Sequence, residues 1–136
     1  MKIIIDTNVL VSAILKNRIP EEIVFCVIEN SQFKWLASSE IIAEYKGVLS
    51  RPKFKLPPDI LQRWFAVFDR NIVIAESDLL VDFPRDQKDA KFLACAISHR
   101  ADIFISGDKD FSEANELIQD TQIVSITEFF NRFVKK

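Results

Sequence analysis

Glycine is nearly missing from this chain of 136 residues; it occurs twice, at Gly47 and Gly107. Two such distant glycines cannot build a dinucleotide fingerprint or a Walker phosphate loop, so cofactors held by those devices are excluded. Long apolar runs are missing too. No stretch approaches the roughly 20 residues of a membrane span. The first residues, with one Lys, a short apolar run and then Asp6, do not read as a signal peptide. Cysteine is scarce: Cys26 and Cys95 both fall in apolar helical patterns and read as packed, reduced thiols, which fits a cytoplasmic protein. A basic excess is absent as well, since the formal net charge is -2 and the sequence pI is 5.4. A domain that grips nucleic acid by charge alone would be basic. A polyanionic partner would therefore need local basic patches, or metal ions that offset the acids. The single histidine, His99, sits near a helix C-terminus beside Arg100 and reads as a surface residue favoured by the helix dipole.

What is present suits one soluble globular domain spanning 1–136: 49% hydrophobic and 28% charged residues. The 12 Phe suggest a core filled by aromatic rings between layers. Ile3 to Ile5 lacks polar alternation and reads as a central strand. "TNVLVSAILK" then shows helical spacing. "PEEIVFCVIEN" is a helix with Pro20 in its first turn and Glu21 and Glu22 matching the dipole. "FKWLAS" is a short strand, and "SSEIIAEYKGVLSR" a helix capped by Ser38 or Ser39. "PKFKLPP" is a loop and "DILQRWFAVFDR" a helix. "NIVIAE", "ADIFISGD" and "QIVSI" are strands. "RDQKDAKFLACAISHR", with Asp86 as cap, and "TEFFNRFVKK" are helices. Strands that alternate with helices throughout predict an α/β fold with a parallel sheet covered on both faces. In such sheets ligands bind beyond the strand C-termini.

Acids collect at those ends. Asp6 closes the first strand, Asp108 follows the "DIFIS" strand, and Asp110 lies just beyond. Glu44 lies on the helix after "WLAS", and Asp89 near the start of the "RDQKDAKFLACA" helix. The topology brings these segments to one edge. Carboxylates this close repel by several kcal/mol at an effective dielectric of about 20, so the cluster requires divalent cations or protons. Oxygen ligands suit Mg²⁺ or Mn²⁺. Each acid alone has a plainer use: Asp6 and Asp86 as helix caps, Glu44 as a solvated helix-face acid, Asp108 and Asp110 as turn residues.

Taken together, "IIIDTNVLVSAIL", "SSEIIAEYKGVL" and "RDQKDAKFLACAISHRADIFISGDKDF" resemble a PIN domain, and more narrowly the small prokaryotic PIN proteins of toxin–antitoxin pairs. The resemblance implies a three-layer α/β/α sandwich with a parallel sheet of about five strands. It also implies a metal-dependent ribonuclease whose acids match Asp6, Glu44, Asp89 and Asp108, with Mg²⁺ or Mn²⁺ as cofactor and products bearing 5′-phosphate and 3′-hydroxyl ends. Asn8 and Ser38 match supporting polar positions. Asp86 and Asp110 duplicate the third and fourth acids, so the ligand at each of those positions stays open. A toxin of this kind implies an antitoxin-like inhibitor protein, and the family often forms homodimers, for which "EEIVFCVIEN" and "DILQRWFAVF" offer apolar stripes.

RNA would be gripped by Arg51, Lys53 and Lys55 of "RPKFK" and by Arg85, Lys88 and Lys91, with Phe54 stacking on an unpaired base. The plainer reading of "RPKFK" is a solvated loop. Haloacid-dehalogenase-like phosphatases open with Asp-x-Asp, but position 8 is Asn. A phosphate-accepting receiver domain needs a second acid beside Asp6 and a late Lys, which "QIVSITEFF" does not offer. The remaining alternative is a degenerate PIN-like module that binds RNA or protein without cleaving it.

Overall fold

Ile3, Ile4 and Ile5 are each 0% exposed because they form the middle of a five-stranded sheet. A computed structural model describes residues 1–15, 17–80, 90–107 and 120–135 of the chain. The strands are β1 (Lys2–Ile5), β2 (Lys34–Ala37), β3 (Ile72–Ile74), β4 (Ile103–Ile105) and β5 (Gln122–Val124). They lie in the order β3-β2-β1-β4-β5, and every pairing is parallel. Parallel neighbours need crossover connections, which the helices supply.

Those helices are α1 (Thr7–Ile14), α2 (Arg18–Glu29), α3 (Ser39–Leu49), α4 (Pro58–Asn71), α5 (Ala90–His99) and α6 (Ile126–Phe129). α2 packs on α1 and on the closing segment of the chain, whereas α3 packs on α4 and α5. The result is an α/β/α sandwich around an all-parallel sheet. Among the described residues no helix is long and apolar enough to cross a membrane.

Aromatic rings fill the layers, as the phenylalanine content suggests. Trp35 of β2 meets Tyr45 of α3 and Phe68 of α4, with centroids 6.1 and 5.8 Å away. Phe92 of α5 stacks on Phe104 of β4 at 5.7 Å, and Phe129 meets Phe133 at 4.8 Å. Rings that fit offset or edge-on in this way add about 0.5–1.5 kcal/mol per pair beyond their burial.

Local chemistry sets the element ends. Ser38, not Ser39, caps α3: its Oγ accepts from the Ile41 amide at 3.2 Å. Ser125 caps α6 in the same way, through Glu128 N at 3.0 Å. The closing segment differs from the single helix expected over "TEFFNRFVKK". α6 widens into a π turn at Phe130–Val134, with Phe129 and Phe133 still packed against the Phe33 ring. α2 starts at Arg18, two residues ahead of Pro20, which stays in the first turn. The "PKFKLPP" loop contains a 3₁₀ turn over Pro52–Phe54 that ends at Lys55, in the left-handed region at φ 50.

The chain steps from β1 through β2 to β3, then returns to lay β4 on the other side of β1. The switch in strand order therefore falls between β1 and β4, where open sheets of this kind leave a crevice at the strand C-termini. Asp6 follows β1 directly, and Ser106 follows β4.

Candidate active site

Asp6 occupies the N-cap position of α1 with an extended backbone (φ -66, ψ 144), yet its side chain makes no capping hydrogen bond. The carboxylate turns across the sheet instead. Its Oδ2 accepts from Ser106 Oγ at 2.9 Å, and the Asp6 amide donates to Ile105 O at 2.9 Å. Asp6 and Ser106 are each 4% exposed. A carboxylate this far from water keeps its charge only with charge-assisted donors around it. The cap role that the local sequence equally offers is not the one its side chain takes.

Glu44 approaches from α3. Thr7, the first residue of α1, donates through Oγ1 to Glu44 Oε2. Lys91 of α5 places its Nζ 2.8 Å from Glu44 Oε1. The neighbouring residue fixes the helix that carries Glu44: Tyr45 is fully buried and its hydroxyl donates to the carbonyl of Ile5, the last residue of β1. Burial pushes the Tyr45 pKa well above its ordinary 10.0; the Trp35 side chain opposes that rise, and the charges of Asp6 and Glu44 add to it. The hydroxyl therefore stays protonated and remains a donor. Two side-chain bonds, from Thr7 and Tyr45, tie α3 to the end of β1 and bring Glu44 into the neighbourhood of Asp6.

The other residues read from the sequence fall in different places. Asn8 lies in the first turn of α1 and is exposed. Ser38 is occupied as the α3 cap. Arg51, Lys53 and Lys55 are exposed and follow the end of α3, about 9 Å of helical rise beyond Glu44. Lys53 Nζ sits 5.1 Å from the centre of the half-buried Phe54 ring. Lys91, expected to grip substrate, pairs with Glu44. His99 is more than a dipole-stabilised surface residue: its Nε2 lies 2.6 Å from Glu76 O, tying α5 to the segment after β3. Asp86, Asp89, Asp108, Asp110, Arg85 and Lys88 lie outside the described residues.

Sequence reasoning missed Thr7, Ser106 and Tyr45. Thr7 and Ser106 read as ordinary helix-start and turn residues, and Tyr45 as an apolar neighbour of Glu44. The available signal was position: a hydroxyl beside each strand end that also carries an acid, and a tyrosine next to the helix acid.

Asp6 and Glu44 supply hard carboxylate oxygens at the switch point, the donor type that suits divalent cations. Among the described residues no cluster of three or more His, Cys, Asp or Glu side chains forms a metal-binding group.

The chain is thus an α/β/α sandwich with a buried acid at its β1–β4 switch point. The PIN-domain family model matches residues 2–110, and the chain belongs to that family. Its members are generally nucleases and typically use divalent metals. Among curated proteins, none matched the chain.

Proposed function

We propose that this protein is an endoribonuclease dependent on Mg²⁺ or Mn²⁺, and that it serves as the toxin of a toxin–antitoxin pair. The supporting observation is the carboxylate of Asp6, 4% exposed and held by Ser106 at the β1–β4 switch point, with Glu44 tied beside β1 by Thr7. Membership of a nuclease family gives that geometry its chemical direction.

Asp6, Glu44, Asp89 and Asp108 would hold the cation, with Asp110 and Asp86 as further acids beside them. When bound, a divalent ion lowers the pKa of water and offsets charge on the scissile phosphate. The protein's own part is pre-organisation. Ser106 and Thr7 fix the two carboxylates, and Tyr45 fixes the helix under one of them, so little rearrangement is needed when substrate arrives. Arg51, Lys53, Lys55, Arg85 and Lys88 would steady the RNA backbone. Phe54 would stack on an unpaired base.

A nuclease of this kind needs restraint. The fitting inhibitor is a small antitoxin-like protein that inserts a basic side chain among the acids, best an Arg, whose planar fork pairs carboxylates. The protein would act as a homodimer through α2 and α4. Phe25 of α2 is 41% exposed and stacks on Trp64 of α4 at 6.2 Å.

The test is cleavage of single-stranded and structured RNAs with Mn²⁺, with Mg²⁺ and with chelator, followed by end-group analysis. Metal-dependent products with 5′-phosphate ends support the reading. A folded protein that binds RNA and cleaves none of the panel would make it a non-catalytic binding module.

A further inference from the structure

Lys91 stands in the first turn of α5 and reaches across to Glu44 of α3, Nζ to Oε1 at 2.8 Å. The lysine is the more withdrawn partner: the two side chains are 13% and 25% exposed. Its ammonium also lies 5.8 Å from the centre of the Phe92 ring. The second oxygen of Glu44 accepts from Thr7. Both carboxylate oxygens are thus engaged by the protein's own donors, from two different helices. Exposed pairs of this sort contribute little. A pair drawn this far from water behaves differently, because deleting one partner strands the other's charge in a poor solvent.

We infer that Lys91 is a positioning residue of the acidic site: its ammonium fixes Glu44 and offsets one negative charge near Asp6, so the acids can stand together before a divalent ion binds, and the site draws that ion less strongly than its carboxylates alone would. This rests on the divalent-ion reading of the site and adds to it a resident cation. A lysine that served the RNA backbone would point its ammonium to solvent. Lys91 spends it on Glu44.

The experiment compares the parent protein with Lys91→Met, Lys91→Arg and the double variant Lys91→Met/Glu44→Gln. Each is melted in EDTA and titrated with Mn²⁺ by calorimetry, with no RNA present. Lys91→Met is expected to melt about 4 °C or more below the parent in EDTA, and to bind Mn²⁺ about tenfold more tightly, the scale of one charge pair at a partly solvated site. Lys91→Arg should return both values toward the parent. The double variant should melt above Lys91→Met, because the stranded carboxylate is gone. If Lys91→Met does not fold, the double variant decides: a folded double supports the inference, and an unfolded one reduces Lys91 to packing and overturns it. Unchanged melting and unchanged Mn²⁺ affinity in Lys91→Met would also overturn it. A parent protein that cleaves no RNA, with the Lys91–Glu44 coupling intact, would remove the nuclease reading alone.

Discussion

The Ser106 hydroxyl donates to Asp6 Oδ2 at 2.9 Å across the junction of β1 and β4. These two strands are adjacent in the sheet although their residues are far apart in the chain. The bond turns an acid with the backbone of a helix cap into an acid aimed at the sheet edge.

Ser106→Ala should therefore reduce nuclease activity while preserving the fold. Loss of a hydrogen bond to a charged group costs about 1.5–3 kcal/mol, and urea unfolding would register that loss. Ser106→Thr keeps the hydroxyl and should retain most activity. A Thr variant as inactive as Ala would indicate that side-chain volume, not the donor, matters at this position.

Thr7 carries the corresponding role for Glu44. Thr7→Val is nearly isosteric, fills the same space and removes only the donor, so it should lower kcat and also cost stability on the scale of a hydrogen bond to a charged group, up to about 1.5–3 kcal/mol. Thr7→Ser should recover activity. Steady-state kinetics on one cleavable RNA distinguishes the two variants, and equal behaviour of Val and wild type would exclude Thr7 from the site.

Tyr45→Phe deletes the hydroxyl that ties α3 to the Ile5 carbonyl. The ring still fills its place among Trp35 and Phe68, so the loss is that of one buried hydrogen bond, about 1–3 kcal/mol. Activity should fall in parallel, because the same strap locates Glu44. A variant of full stability and full activity would show that ring packing alone seats the helix.

The sheet was legible in advance because its central strand is buried on both sides and therefore carries no alternation; Ile3–Ile5 could be read as central for that reason. The start of α3 was legible to one residue because serine caps are local chemistry. Contacts that depend on long-range closure were not. Nothing near Thr7 announces Glu44, and nothing near Lys91 separates an ion pair from a substrate contact. The π turn after α6, whose Phe133 meets the Phe33 ring across the fold, was not legible either. "RPKFK" is basic in the sequence, but only the path of α3 reveals how far it stands from Glu44.

Cys95 yields a pH prediction. Its Sγ contacts Ala75 O at 3.6 Å, and burial pushes its pKa from 9.0 to about 11; a backbone hydrogen bond at Ser38 opposes this and Glu76 adds to it. The folded state thus holds the thiol proton more tightly than the unfolded chain. That contribution is complete below about pH 9 and is lost as pH rises toward 11. Urea midpoints should stay level from pH 7 to 8.5 and decline above 9. Thiol labelling at pH 8 should reach the half-buried Cys26 first. Rapid labelling of Cys95 in the native protein would contradict its burial.

Asp6→Asn joins the fold and the chemistry in one measurement. The native carboxylate is nearly shut off from water, with the Glu44 carboxylate close by and partly offset by Lys91. Replacing it with a neutral amide of the same shape removes a buried charge and its repulsion from neighbouring acids, while Ser106 keeps an oxygen to donate to. Activity should disappear. Stability in EDTA should equal or exceed the parent's, because no helix cap is lost: the Asp6 side chain makes no capping bond. Thermal melting with and without Mn²⁺ separates the two possibilities. A parent stabilised by Mn²⁺ beside a variant indifferent to it identifies Asp6 as a ligand. Gross unfolding of Asp6→Asn under both conditions would make Asp6 a structural residue and move the search for the ligands elsewhere on the sheet edge.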